Sequence, residues 1–156
     1  MHVLLIAALI CIQEDAEDVK VVKEWKGQET KIDAPECQRV TESEAWTKLW
    51  QRHTGNKREA APEVDFTKNM VVACFLGPRT YHDIEFYRAK KTKDELVFGI
   101  MVGGEDCCDF SKHPLFYIAV VPKCDFKLSI IGRVKQELDV DPTKDEMLKE
   151  FPAIKE

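Results

Sequence analysis

The sequence has neither an excess of basic residues nor a long hydrophobic run. Its 156 residues include 23 lysines and arginines against 28 aspartates and glutamates, so the formal net charge is −5. Because a basic surface is missing, we expect neither nucleic acid nor a polybasic membrane contact as a partner. No apolar run reaches the roughly 18 residues that a membrane-spanning helix needs. The length and the 44% hydrophobic content predict one compact, acidic domain.

The signatures of common enzymes are missing as well. The three serines do not lie in a G-x-S-x-G turn, and the glycines form no phosphate-binding loop. Paired catalytic carboxylates are also not recognisable in the sequence. We therefore expect a protein that is not an enzyme and that has no cofactor.

An apolar segment of ten residues, 3–12, lies near the N-terminus and is followed by charged residues. Its length is typical of the apolar part of a secretory signal, although a buried strand would have a similar composition. We predict a signal peptide over residues 1–16 and a single mainly-β domain over 17–156. The expected location is secreted or periplasmic, in the cell envelope.

Removing that segment leaves five of the six cysteines, which is an odd number. At least one thiol is then free or intermolecular in an oxidising compartment. Cys74 lies in an apolar run and is expected to be buried and inert. The preferred disulfide joins Cys107 or Cys108 to Cys124, and Cys37 competes for either position.

One amphipathic helix is predicted over residues 41–54. Thr41 and Glu44 have the spacing of a capping box, and Gly55 can end the helix in a left-handed conformation. The apolar residues that share one face are Ala45, Trp46, Leu49 and Trp50. This spacing indicates a core contact for both tryptophans rather than a ligand stack.

The rest of the chain has strand patterns. Strands are expected over residues 18–25, 70–76, 83–87, 96–102, 115–121 and 125–130. Two of them, 70–76 and 115–121, are continuously apolar, as in strands covered on both faces. The others alternate, which favours an antiparallel sandwich or a partly open barrel.

The predicted connections and the chain end complete the fold. Residues 27–39 are polar and read as a loop, and Gly77-Pro78 is expected to end a strand. Asp141-Pro142 can start a short C-terminal helix that carries Met147, Leu148 and Phe151. The prediction is an α+β fold, mainly antiparallel β, with one helix on the N-terminal side and a short C-terminal helix.

Two segments carry residues of chemical interest. Cys107, Cys108 and His113 supply thiolate and imidazole groups that suit Zn²⁺ or copper, but adjacent cysteines have poor ligand spacing, which favours a solvated loop fixed by a disulfide. Residues 77–83 form the second segment, with side chains that commonly anchor interfaces. The candidate partner-binding residues are Arg79, Tyr81, His82 and Asp109.

A family resemblance joins several of these segments. Trp46, Leu49-Trp50 and His53 are followed by Pro62-Glu63-Val64-Asp65-Phe66 and by the aliphatic strand that ends in Gly77. Over about 41–133 this pattern resembles the PrcB-like family. The family's T-G-G-Y turn is missing, because Thr80-Tyr81-His82-Asp83 stands in its place.

The resemblance implies a non-catalytic accessory protein of the cell envelope that is associated with a protease complex, and it gives no catalytic residues to carry over. The expected partner is another envelope or secreted protein. The alternatives are a protease inhibitor-like β domain, and a metal or redox protein that uses the Cys107-Cys108 loop.

Overall fold

The computed structural model describes residues 16–105, 112–134 and 146–154. Within these ranges the chain forms nine strands and one helix. In chain order they are β1 (Glu17–Asp18), β2 (Lys23–Gly27), β3 (Glu36–Val40), α1 (Ser43–Thr54), β4 (Asn69–Arg79), β5 (Tyr81–Lys91), β6 (Glu95–Glu105), β7 (His113–Pro122), β8 (Lys127–Val134) and β9 (Glu146–Phe151).

The strands form two sheets that pack face to face. The five-stranded sheet has the order β1-β5-β6-β8-β9, and the four-stranded sheet has the order β2-β7-β4-β3. The predicted α+β sandwich is confirmed, and the described strands do not close into a barrel. Most neighbours are antiparallel, but β6 and β8 are parallel. This parallel pair arises because the intervening strand, β7, lies in the other sheet.

The main core lies between the two sheets. Its largest fully buried side chains include Tyr117, Phe98, Met70, Ile84, Leu96, Ile100, Leu115 and Leu128. A second apolar layer lies on the opposite face of the four-stranded sheet, where α1 packs. It contains Trp46, Leu49, Trp50, Val71, Ala73, Phe75, Phe116, Ile118 and Val120. Successive residues of β4 and β7 face these two layers in turn, which explains their continuous apolar runs.

The predicted helix is confirmed, but its predicted capping box is wrong. Glu42 is the N-cap residue, and it makes no side-chain capping hydrogen bond. Thr41 lies one residue before the cap, and the Glu44 carboxylate instead pairs with Lys48 at 2.6 Å. Gly55 ends the helix with φ of 71°, as predicted.

Three sequence predictions need correction near the N-terminal half. The strand expected over 18–25 is divided between β1 and β2, which pair in different sheets. The loop expected over 27–39 contains most of β3, which supplies an edge to the four-stranded sheet. Gly77-Pro78 does not end β4, because a bulge between Phe75 and Gly77 lets the ladder continue to Arg79.

The short C-terminal helix is not confirmed. Its expected start at Asp141-Pro142 lies outside the described residues, and Met147, Leu148 and Phe151 lie in strand β9. The apolar residues of this short segment fit either a helix or a strand. The segment is a strand because it pairs antiparallel with β8. No helix of the described ranges is long and apolar enough to cross a membrane. The predicted signal peptide lies outside the described residues except for Ala16.

Candidate functional site

Of the four predicted partner-binding residues, the structure describes the side chains of Arg79 and Tyr81. Arg79 is exposed at the end of β4, whereas Tyr81 packs against the core between the sheets. The backbone of His82 belongs to β5, and Asp109 lies outside the described residues. Of the four, Arg79 is the residue that the structure places beside a cleft.

A β-bulge shapes the chain just before Arg79. Gly77 has φ of 67°, and a Cβ at this position would lie 2.8 Å from the Asp33 carbonyl oxygen and 3.1 Å from Pro35 Cδ. Glycine is therefore required both by the backbone angle and by the close approach of the preceding segment. The Arg79 Nε then donates a hydrogen bond to the Leu76 carbonyl at 3.1 Å, which fixes the guanidinium near the bulge.

The cleft beside Arg79 opens between an edge strand of each sheet. It has a volume of about 340 Å³ and lies between β3 and β9. Its lining residues are Pro35, Glu36, Cys37, Phe75, Leu76, Arg79, Leu148 and Lys149. Five of these residues are apolar, and the other three, Glu36, Arg79 and Lys149, are charged.

The cleft is surrounded by more positive than negative charge. Glu36 accepts hydrogen bonds from Arg52 Nη2 on both carboxylate oxygens, at 3.1 and 3.0 Å. The exposed cations Arg79 and Lys149 have no ion-pair partner among the described residues. The Lys149 ammonium lies 5.9 Å from the ring centre of Phe151. The carboxylate is thus neutralised, and the cleft presents a net positive charge.

Two cysteines meet at the base of the cleft. Cys37 of β3 lies directly opposite Cys74 of β4, and their thiols are in contact at 3.8 Å. Cys37 is half-buried and lines the cleft, whereas Cys74 is fully buried.

The two thiols differ in acidity. The hydrogen bond from Cys74 lowers the pKa of Cys37 and the nearby Lys149 charge acts in the same direction, whereas burial and the Glu36 charge oppose the shift. The same hydrogen bond, together with burial, raises the pKa of Cys74. The arrangement places a thiolate-forming sulfur at the cleft and a protonated one behind it.

No disulfide is found among the described residues. Cys124 is buried with a free thiol, and burial raises its pKa. Cys107 and Cys108 lie outside the described ranges, so their expected bond to Cys124 stays a prediction. Cys37, expected to compete for that bond, faces Cys74 instead.

The proposed metal ligands are only partly placed. His113 begins β7, opposite Arg79, and the two proposed thiol ligands are not described. Within the described residues, no group of three or more His, Cys, Asp or Glu side chains could hold a metal ion. The metal site on Cys107, Cys108 and His113 stays a prediction.

Sequence reasoning missed the Cys37–Cys74 contact and the contribution of β9 to the cleft. The missed signal was the short alternating segment 36–40, in which residues 37 and 39 face one side and 36, 38 and 40 the other. Comparisons with protein-family models, with curated proteins and with solved structures find no match for this chain.

Proposed function

We propose that this chain is a non-catalytic accessory domain of the cell envelope that binds an extended, acidic segment of another envelope or secreted protein. The binding site is the cleft between β3 and β9. The observation that carries the proposal is the pair of exposed cations, Arg79 and Lys149, at the rim of an apolar cleft beside an edge strand. Exported location follows from the apolar N-terminal segment, and the accessory role follows from the PrcB-like resemblance.

The edge strand supports an extended partner. β3 is the last strand in the order of its sheet, so one side of its ladder has no strand partner among the described residues. An extended peptide can add to such an edge through main-chain hydrogen bonds, while alternate side chains enter neighbouring pockets. A cleft of about 340 Å³ has room for one or two of those side chains.

The charge of the cleft supports an acidic partner. Because Arg52 already holds the Glu36 carboxylate, an approaching Asp or Glu meets Arg79 and Lys149 without an uncompensated like charge. Complementary charge of this kind sets specificity and association rate, and it weakens as salt increases.

The proposal is tested with charge reversal in the cleft. The probes are a synthetic extended peptide of alternating Glu and Thr, its Lys-Thr counterpart, and fluorescence anisotropy as the readout. We expect the acidic peptide to bind and the Arg79→Glu, Lys149→Glu double variant to lose at least about tenfold in affinity. The matched control is the Lys26→Glu, Lys57→Glu double variant, which makes the same charge change on exposed residues away from the cleft.

Tyr81 is not a useful target, since its substitution would disturb the core. Equal binding of both peptides, or equal loss in the control variant, would remove the cleft assignment. A tagged pull-down from the envelope fraction, made with the same two double variants, then identifies the natural partner. If that partner is a protease, its activity in the complex decides between an accessory and an inhibitor-like role.

A further inference from the structure

We propose that Cys37 and Cys74 form a redox-active dithiol, in which Cys37 attacks a small-molecule disulfide that enters the cleft and Cys74 resolves the mixed disulfide. This inference goes beyond the proposed binding function and does not depend on it. It rests on the cross-strand position of the two thiols, their contact distance and their unequal access to solvent.

The backbone already satisfies the geometry of a disulfide. Directly opposite residues on antiparallel strands have Cα atoms about 4.5–5.5 Å apart, within the range of about 4.4–6.8 Å that disulfides use. Cys37 and Cys74 occupy directly opposite positions, and their thiols are 3.8 Å apart. Closing this gap to a bond of about 2.05 Å requires rotation of the side chains and no change of register.

Access to the two sulfurs is ordered by the fold. Cys37 lines the cleft, but Cys74 is fully buried in the core between the sheets. An oxidant in the cleft therefore meets Cys37 first. The cations Arg79 and Lys149 favour an oxidant that carries carboxylates, because the Glu36 carboxylate is held by Arg52.

The difference in acidity fits the same order. The thiolate is the attacking species, and the hydrogen bond from Cys74 and the charge of Lys149 both favour the thiolate of Cys37. Cys74 keeps its proton until Cys37 has reacted, since burial and the adjacent thiolate raise its pKa. Once Cys37 is in a mixed disulfide, the adjacent negative charge is removed.

The exchange proceeds in two steps. The Cys37 thiolate attacks one sulfur of a disulfide R–S–S–R, which forms a Cys37–S–S–R bond and releases one RS⁻ that takes up a proton. Cys74 then attacks the Cys37 sulfur, forming the Cys37–Cys74 bond and releasing the second RS⁻, which takes up the proton that Cys74 loses. In sum, the two protein thiols lose two electrons and two protons, and one R–S–S–R becomes two R–S–H.

The test treats the full, reduced chain with glutathione disulfide, blocks remaining thiols with iodoacetamide and maps tryptic peptides without reduction. Cleavage after lysine and arginine puts Cys37 in peptide 32–39, Cys74 in 69–79, Cys124 in 124–127 and the cysteine pair in 94–112. We expect a linked peptide that joins 32–39 to 69–79.

Variants separate the two roles. We expect Cys74→Ala to stop at a glutathione adduct on peptide 32–39, and Cys37→Ala to leave Cys74 as a thiol that iodoacetamide modifies at least about tenfold more slowly than Cys37 of the wild type. Cys124→Ala is the matched control and keeps the 32–39 to 69–79 link. Circular dichroism verifies the fold of each variant. The peptide map of the wild-type protein tests the proposal even if a variant fails to fold.

Three outcomes would overturn the proposal. They are a wild-type adduct on Cys37 that does not proceed to the Cys74 link, a link that joins Cys37 to another cysteine, and complete lack of reaction under conditions in which glutathione disulfide oxidises the free dithiol dithiothreitol. Because the reaction uses no partner protein or peptide, its failure is distinguishable from failure of the binding proposal.

Discussion

The two sheets of this protein are buried to different extents. The four-stranded sheet is covered on one face by the other sheet and on its opposite face by α1, so its central strands β4 and β7 are apolar on both sides. The five-stranded sheet has one face in the core, and the helix of the described ranges lies elsewhere. Its strands accordingly alternate: Leu96, Phe98 and Ile100 are buried, whereas Val97 and Met101 are only half-buried.

The outer layer on the four-stranded sheet is built from aromatic rings rather than aliphatic chains. The rings of Trp25, Trp46 and Trp50 lie with centroids 5.2–5.7 Å apart, and Trp46 Nε1 donates to the Pro62 carbonyl at 2.8 Å. Large rings bury much area in few residues, which suits a single helix of three turns. A short helix can therefore complete the cover of a sheet when its contact residues are tryptophans.

The largest loss of stability is expected when a tryptophan of that aromatic layer is replaced. Trp46→Ala is expected to lower the free energy of unfolding by about 3–5 kcal/mol, because it leaves a cavity and an unpaired Pro62 carbonyl. Phe98→Ala, in the core between the sheets, should cost a similar amount. Val97→Ala on the outer face of the five-stranded sheet should cost about 1 kcal/mol or less.

Urea unfolding followed by circular dichroism measures all three variants. A loss below about 1 kcal/mol for Trp46→Ala would mean that α1 is not part of the cooperative unit. The comparison between the doubly covered and the singly covered sheet would then fail.

The sequence predicted the covered faces better than it predicted the edges. Runs 70–76 and 115–121 indicated strands buried on both sides, and α1 was predicted to within two residues at its start. Edge strands have weaker patterns because they bury less of their surface. For this reason β3 was read as a loop and β9 as a helix, since pairing with β4 and β8, and not local composition, defines them.

The same reason explains why the cleft was only partly predicted. Arg79 was selected as an interface residue, but Cys37 and Lys149 come from the two misread edges. Their approach depends on how the sheets pack, with more than 100 residues of chain between them. A pattern read within a window of ten residues carries no such information.

A second prediction concerns the hydrogen bonds that join the two sheets at the edge where β3 and β9 lie. Arg39 of β3 donates hydrogen bonds to the carbonyl oxygens of Phe126 at 2.8 Å and of Cys124, which precede β8, and to Pro152 after β9 at 3.4 Å. Arg39→Ala removes the shared donor from three carbonyls. We expect a loss of about 2 kcal/mol in unfolding free energy.

The matched control is Arg52→Ala, which breaks an exposed ion pair with Glu36 and should cost about 0.5 kcal/mol or less. Arg39→Lys should recover little of the loss, since one ammonium cannot reproduce the forked donation. Equal effects of Arg39→Ala and Arg52→Ala in urea unfolding would show that the sheets are held together at this edge by apolar contacts alone.

The smallest effect that we predict is a pH dependence confined to the aromatic layer. His53 is buried there, 4.3 Å from Phe116 and 5.2 Å from Trp50 between ring centres, and its Nδ1 has no hydrogen-bond partner. Burial lowers its pKa, although the nearby Glu59 charge opposes the shift. The unfolded chain, with a histidine pKa of about 6.5, therefore binds the proton more readily than the folded protein.

The contribution of neutral His53 to the free energy of unfolding is thus fully present above about pH 6.5. It decreases as the pH falls below that value toward the lowered pKa of His53 in the folded protein. We expect His53→Leu to reduce the slope of unfolding free energy against pH between about pH 7.5 and pH 5.5, measured by urea unfolding. Trp50→Phe, in the same layer, should lower the stability at every pH and keep the slope. If the slope of His53→Leu equals that of the wild type, carboxylates elsewhere in the protein cause the pH dependence. The aromatic layer then differs from the core between the sheets in its packing, but not in how its stability depends on pH.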